Sequence, residues 1–172
     1  MCVGCQSETS RTAVWEKWAL REGGFASESA QERAQAALNA LQYSSSNARV
    51  YVLESPSAAA YAWPDGSIFL TSALLDILEP REIAAVIAHE LGHLCDPPRP
   101  GDASALLGKA RHLDDESRAD EFACDLLRRS GLAPLALASA LRKVQLTHGI
   151  SDRQRQSILD RVRRITSPLA CP

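Results

Sequence analysis

The chain has 172 residues, 45% hydrophobic and 23% charged, with a formal net charge of -2 and a pI near 6.1, ordinary values for one domain that buries its own core. Its 19 Lys and Arg against 21 Asp and Glu form no long basic run, which excludes an electrostatic nucleic-acid binder. No segment supplies the ~18 uninterrupted apolar residues of a membrane helix, and the 5 cysteines, an odd number, imply no disulfide framework.

The N-terminus reads Met1-Cys2-Val3-Gly4-Cys5. A lone CxxC is thin ground for a metal, and Val3-Gly4-Cys5 also has the form of a lipoprotein cleavage site. Residues 1–10 are therefore expected to be a flexible terminus, open to a lipid anchor, which favours the bacterial envelope or periplasm over the cytoplasm. Thr12 to Arg21 carries Trp15, Trp18 and Leu20 between charges, an amphipathic helix stopped by Gly23 and Gly24. Ser27 to Leu41 aligns Ala30, Ala34, Ala37, Leu38 and Leu41 on one stripe, with Ser27 or Ser29 as cap.

After Ser44 to Asn47 the period changes. Arg49 to Leu53 is a β-branched and aromatic run, and Ala58 to Trp63 and Ser67 to Thr71 flank the turn Pro64-Asp65-Gly66, predicting a hairpin. Thr71 can cap a short helix through Leu78. From Pro80 to Cys95 the chain reads PREIAAVIAHELGHLC, with Ile83, Ala84, Ile87, Leu91 and Leu94 as an apolar stripe and Pro97 and Pro98 barring continuation. Asp96 to Lys109, rich in Pro and Gly, reads as a surface excursion. Asp114 to Arg129 starts with acids, ends with Arg128 and Arg129, and is followed by Gly131, so dipole and cap signals agree. Pro134 opens a helix to about Leu146, and Ser151 to Ile165 forms the last. The arginines Arg153, Arg155, Arg161, Arg163 and Arg164 are read mostly as a solvated helix face, and Cys95 and Cys124 as small core residues.

The helix from Pro80 carries HExxH. His89 and His93 lie one turn apart on one face and can present two imidazoles to one metal ion, whereas Glu90 is rotated off that line and can reach a water held there. The pattern points to one catalytic zinc ion, which needs a third protein ligand. A metzincin would place Gly seven residues after the first histidine and His or Asp ten after it, where this chain has Asp96 and Arg99. Asp96 is a possible ligand, but the prolines after it turn it away. Glu116 is better placed, with Asp120 one turn further along the same face to hold a histidine N–H.

HELGH followed by Glu116-Ser117-Arg118-Ala119-Asp120 resembles the HExxH plus ExxAD pair of gluzincin zinc metallopeptidases of the HtpX and CAAX-prenyl-protease type. The likeness runs over roughly Ser57 to Ala140, through AYAWPDGSIFLTSALLD before the motif and SGLAP after it, and without membrane helices it points to the soluble, minigluzincin-like branch. It implies an α+β, zincin-like single domain over residues 11–166. A sheet of about three strands would pack on the active-site and glutamate helices, with further helices at both ends and residues 167–172 as a tail.

The implied activity is a zinc endopeptidase acting on protein or peptide substrates, with His89, His93 and Glu116 as ligands, Glu90 as general base and Asp120 orienting the site. Substrate is expected to lie extended along an edge strand, with Ala60, Tyr61 and Ala62 at that edge. The family's C-terminal His-Pro motif, with an arginine after it, steadies the oxyanion. Here His148 precedes Gly149, and Arg153, Arg155 and Arg161 compete for the arginine role. A rival reading is a quality-control module that binds unfolded chains with little or no turnover, and a third is a structural metal domain. Cys171, on a Pro-punctuated tail, could supply a thiolate that blocks the open metal position.

Overall fold

The computed structural model describes residues 17–21, 23–44, 47–95 and 113–167. Cys2, Cys5, Trp15, Asp96 with the excursion to Lys109, and Cys171 lie outside the described residues, and so do the expectations attached to them.

Residues 17–21 are helical. The elements that follow are α1 (Glu28–Ala40), β1 (Arg49–Leu53), β2 (Ala60–Ala62), β3 (Ser67–Thr71), α2 (Ser72–Ile77), α3 (Pro80–Cys95), α4 (Leu113–Arg129), α5 (Leu135–Val144) and α6 (Asp152–Thr166). Local chemistry sets these bounds. Ser27 accepts from the Ala30 N–H at 3.4 Å to start α1, and Thr71 accepts from the Leu74 N–H at 3.3 Å to start α2. Ser151 and Gln154 form a reciprocal capping box at α6. Pro80 opens α3 as its first residue, where a missing N–H costs nothing.

The architecture is α+β with one three-stranded sheet of order β1-β3-β2. β2 and β3 form the expected antiparallel hairpin, Tyr61 opposite Phe69, although β2 is only three residues long. Gly66 closes the turn at φ 94°, and a Cβ there would lie 2.3 Å from the Asn47 carbonyl oxygen, so no other residue fits. β1 pairs with β3 in parallel, Arg49 opposite Ser67 through Leu53 opposite Thr71. That makes β3 the central strand, buried along its whole length.

β3 sorts its side chains by alternation. Ile68 and Leu70, with Val50 and Val52 of β1, face the main core shared by α1, α3 and α5. Phe69 faces the other way, into an aromatic cluster with Tyr51, Tyr61, Trp63 and Trp18. Trp18 meets Phe69 edge-on at 5.2 Å and Tyr61 at 5.4 Å. Phe69 is fully buried, and its truncation to Ala would cost about 3–5 kcal/mol.

The buried stripe of α3 continues through Ile83, Ala84, Ile87 and Leu91, and its first turn is tied to α5 by Glu82. The Glu82 carboxylate accepts from Ser139 at 2.6 Å and Lys143 at 2.7 Å. α3 lies beside β2 and β3, whereas α4 packs on α3. The glutamate helix therefore stands behind the active-site helix, not on the sheet as expected. Among the described residues no helix is long and apolar enough to cross a membrane.

Two cysteines behave differently from each other. Cys124 is buried, but Cys95 is exposed at the end of α3, its thiol 3.7 Å from the Tyr43 hydroxyl.

Candidate metal centre

Helices α3 and α4 meet with their motif faces together. On α3 the i, i+4 spacing puts His89 and His93 on one side, and on α4 the same spacing aligns Glu116 with Asp120. The Nε2 atoms of His89 and His93 are 3.1 Å apart. Glu116 Oε2 is 3.4 Å from His89 Nε2, and Glu116 Oε1 is 3.5 Å from His93 Nε2. A tetrahedral ion with N and O ligands at about 2.0–2.2 Å has ligand-to-ligand edges of about 3.3–3.5 Å. The three donors thus stand at separations that fit one zinc ion. Among the described residues they are the one group of His, Cys, Asp and Glu side chains gathered closely enough to hold a metal.

Behind the triad lies a buried polar layer. Asp120 Oδ1 is 3.0 Å from His89 Nδ1, which leaves Nε2 of the same ring to face the triad. Arg161, from α6, donates to both Asp120 oxygens, from Nε to Oδ2 at 2.9 Å and from Nη2 to Oδ1 at 2.6 Å. Its Nη1 reaches Glu116 Oε2 at 2.7 Å. All three guanidinium nitrogens are therefore engaged by the two carboxylates, and Arg161 is 8% exposed. The solvated-face reading of the α6 arginines fails at this residue. A signal for it was available, because Ile158, Arg161, Val162 and Ile165 share the i, i+3, i+4, i+7 face that packs inward. A cation on an apolar stripe demands a buried anion.

The electrostatics follow from this packing. Burial opposes charge on Glu116, yet His89, Arg161 and His93 outweigh it and hold its carboxyl well below the usual range. Asp120 is also lowered, burial being outweighed by His89 and Arg161. For His89, burial and Arg161 act against protonation, while Asp120, Glu116 and Glu90 overcome them and raise its proton affinity. Burial likewise opposes the Arg161 charge, and Asp120, Glu116 and Glu90 reverse that effect. Among the described residues, the lowered carboxylates Glu116 and Asp120 thus stand against the guanidinium of Arg161, an acid-rich setting that suits a divalent cation.

The remaining expected residues divide clearly. Glu90 is 5% exposed on α3, next to His89 and off the two-histidine line. Ala60, Tyr61 and Ala62 form β2 itself, a half-buried strand at the sheet edge beside α3. His148 is not brought to the centre. It lies exposed in the turn after α5, and among the described residues it makes no hydrogen bond or ion pair to the triad. Arg153 is exposed, and Arg155 donates to the Gln145 carbonyl, so neither joins the site.

Comparison with known proteins agrees with this geometry. Residues 26–96 match the Peptidase family M48 model, a stretch that holds His89, Glu90 and His93 and ends before Glu116. Metalloprotease LoiP of Escherichia coli is 28% identical over 130 residues, covering 57% of this chain and 51% of that protein. A protease HtpX homolog of Thermoplasma acidophilum is 53% identical over 49 residues, covering 26% of this chain and 16% of that protein. The chain thus spans about half the length of the first relative and far less of the second. By these matches the chain is similar, over part of its length, to the M48 metallopeptidases.

Proposed function

We propose that residues 11–166 form a zinc-dependent endopeptidase domain. The observation that carries this reading is the triangle of His89 Nε2, His93 Nε2 and Glu116 carboxylate atoms at 3.1, 3.4 and 3.5 Å. Three donors from two helices leave a fourth tetrahedral position open, the arrangement of a catalytic rather than a structural site. Zinc bound there supplies Lewis acidity toward a carbonyl group and a water molecule. Glu90 takes the proton of the attacking water and hands it to the leaving amine. Asp120 holds the His89 ring, and Arg161 holds both carboxylates in their ionised form.

Substrate binding follows from the sheet edges. The outer edge of β1 is blocked: Gln31 pairs with both Val52 backbone groups, at 2.7 and 2.8 Å, and the Ala26 N–H adds a bond to the Val52 carbonyl at 2.9 Å. On either side of β2, Ala59 and Trp63 bond toward β3, so ladder alternation turns the N–H and C=O groups of Ala60 and Ala62 outward. That edge runs beside α3 and suits an extended peptide added as a fourth strand.

Glu90→Gln tests the reading, since it keeps the side-chain shape and removes the base. Casein cleavage should fall by at least ~100-fold while zinc content and melting temperature hold. Undiminished cleavage would overturn the role of Glu90. If the parent protein binds unfolded casein, does not cut it, and is indifferent to Glu90→Gln, the binding-module reading takes its place.

A further inference from the structure

The two motifs share a form: donor, two residues, a small residue, donor. On α3 this is His89, Gly92 and His93, and on α4 it is Glu116, Ala119 and Asp120. Positions i, i+3 and i+4 share a helix face, so each small residue sits between the two donors of its own motif. Both are buried, Ala119 at 1% exposure. A Cβ on Gly92 would stand 2.8 Å from Ala119 Cα, 3.0 Å from its carbonyl oxygen and 3.3 Å from its carbonyl carbon. These are backbone atoms, and they cannot rotate aside.

We propose that Gly92 and Ala119 are positioning residues whose lack of bulk sets the α3–α4 separation that brings Glu116 to the two histidines. This rests on the zinc reading above. Ordinary contact begins at 3.4 Å, so one methyl group at Gly92 forces α3 and α4 apart, or past each other, by about 0.6 Å. Metal–ligand distances tolerate only about 0.2 Å. His89 and His93 would move together, being on one helix, and Glu116 would be the donor left behind. The small residues inside HELGH and ESRAD thus govern metal geometry without touching the ion.

Cobalt(II) reports this directly, because its visible ligand-field absorption depends on the number and geometry of ligands. Parent, Gly92→Ala and a control, Ile68→Val, would be titrated with Co2+ and then with Zn2+ against a chelator, alongside apo-protein melting. Ile68 is fully buried in β3 and sits on neither helix of the crossing, so its loss of a methylene is the control for lowered core stability. Gly92→Ala should bind metal roughly 10- to 100-fold more weakly, in the range seen when ligand-orienting groups are lost. Its cobalt spectrum should change, whereas Ile68→Val should keep the parent affinity and spectrum. Parent-like affinity and spectrum in Gly92→Ala would overturn the inference and leave the zinc reading intact. A parent that binds neither metal would overturn both. If Gly92→Ala does not fold, Ala119→Val widens the same crossing from α4, and parent-like metal binding there overturns the inference equally.

Discussion

Arg161→Met is the perturbation that most sharply probes the buried layer behind the metal centre. The substitution keeps much of the side-chain volume and removes the guanidinium that contacts Glu116 Oε2, at 2.7 Å, and both oxygens of Asp120, at 2.9 and 2.6 Å. Asp120 is 5% exposed, and water cannot replace what is lost. Breaking a buried pair by deleting one partner costs about 3–5 kcal/mol, because the other charge stays uncompensated. For a domain of this size each kcal/mol shifts the melting temperature by about 2–4 °C, so metal-free Arg161→Met should melt about 6–20 °C below the parent. Zinc restores positive charge to the same cluster, and the deficit should shrink when saturating zinc is added. Differential scanning calorimetry with chelator and with zinc supplies both numbers. A metal-free melting temperature within 2 °C of the parent would refute the clamp, and an equal deficit with and without zinc would refute the charge balance.

Glu82→Gln should cost about 1.5–3 kcal/mol at pH 7, since it weakens the charge-assisted bonds from Ser139 and Lys143 that tie α3 to α5. Burial opposes the Glu82 charge, but Lys143, Ser139 and the Glu79 N–H lower its proton affinity below the ordinary glutamate value. A depressed folded-state value stabilises the fold above the unfolded pKa of about 4.3 and loses that contribution as pH falls through the folded value. The stability gap between parent and Glu82→Gln, read from urea titrations, should therefore be full at pH 7 and narrow below about pH 4; a gap that grows on acidification would contradict it. His148→Ala should change kcat/KM by less than about twofold, because the side chain is exposed and away from the triad. A loss of ~100-fold would return His148 to the oxyanion role that its sequence neighbourhood suggests.

What could be read from the sequence was what depends on local periodicity and on donor chemistry. HELGH and ESRAD announce their donors because one helical turn converts four-residue spacing into a shared face, and metal chemistry then restricts the residue types. The Ser27 and Thr71 caps and the Gly66 turn were equally local, whereas the Ser151 capping box emerged only in the structure. The parallel pairing of β1 with β3 was not visible, because it joins Arg49 to Ser67 through a register that neither segment encodes alone. Arg161 could not be singled out from Arg153 and Arg155 for a related reason: its partners lie more than forty positions away on α4, and only the apolar residues around it on α6 hinted that it points inward. Cys95 was expected in the core because free cysteine usually is, but it is exposed at the last residue of α3. The closeness of Gly92 to Ala119 needed coordinates, since glycine in a helix has many possible causes.

The most direct test of the zinc centre is metal stoichiometry by mass spectrometry of the native protein, parent beside Glu116→Ala and Glu90→Gln. One zinc per chain in the parent and in Glu90→Gln, with severe loss in Glu116→Ala, is the predicted pattern. Equal zinc retention in Glu116→Ala and the parent would contradict the assignment of Glu116 as the third ligand, and with it the centre described above.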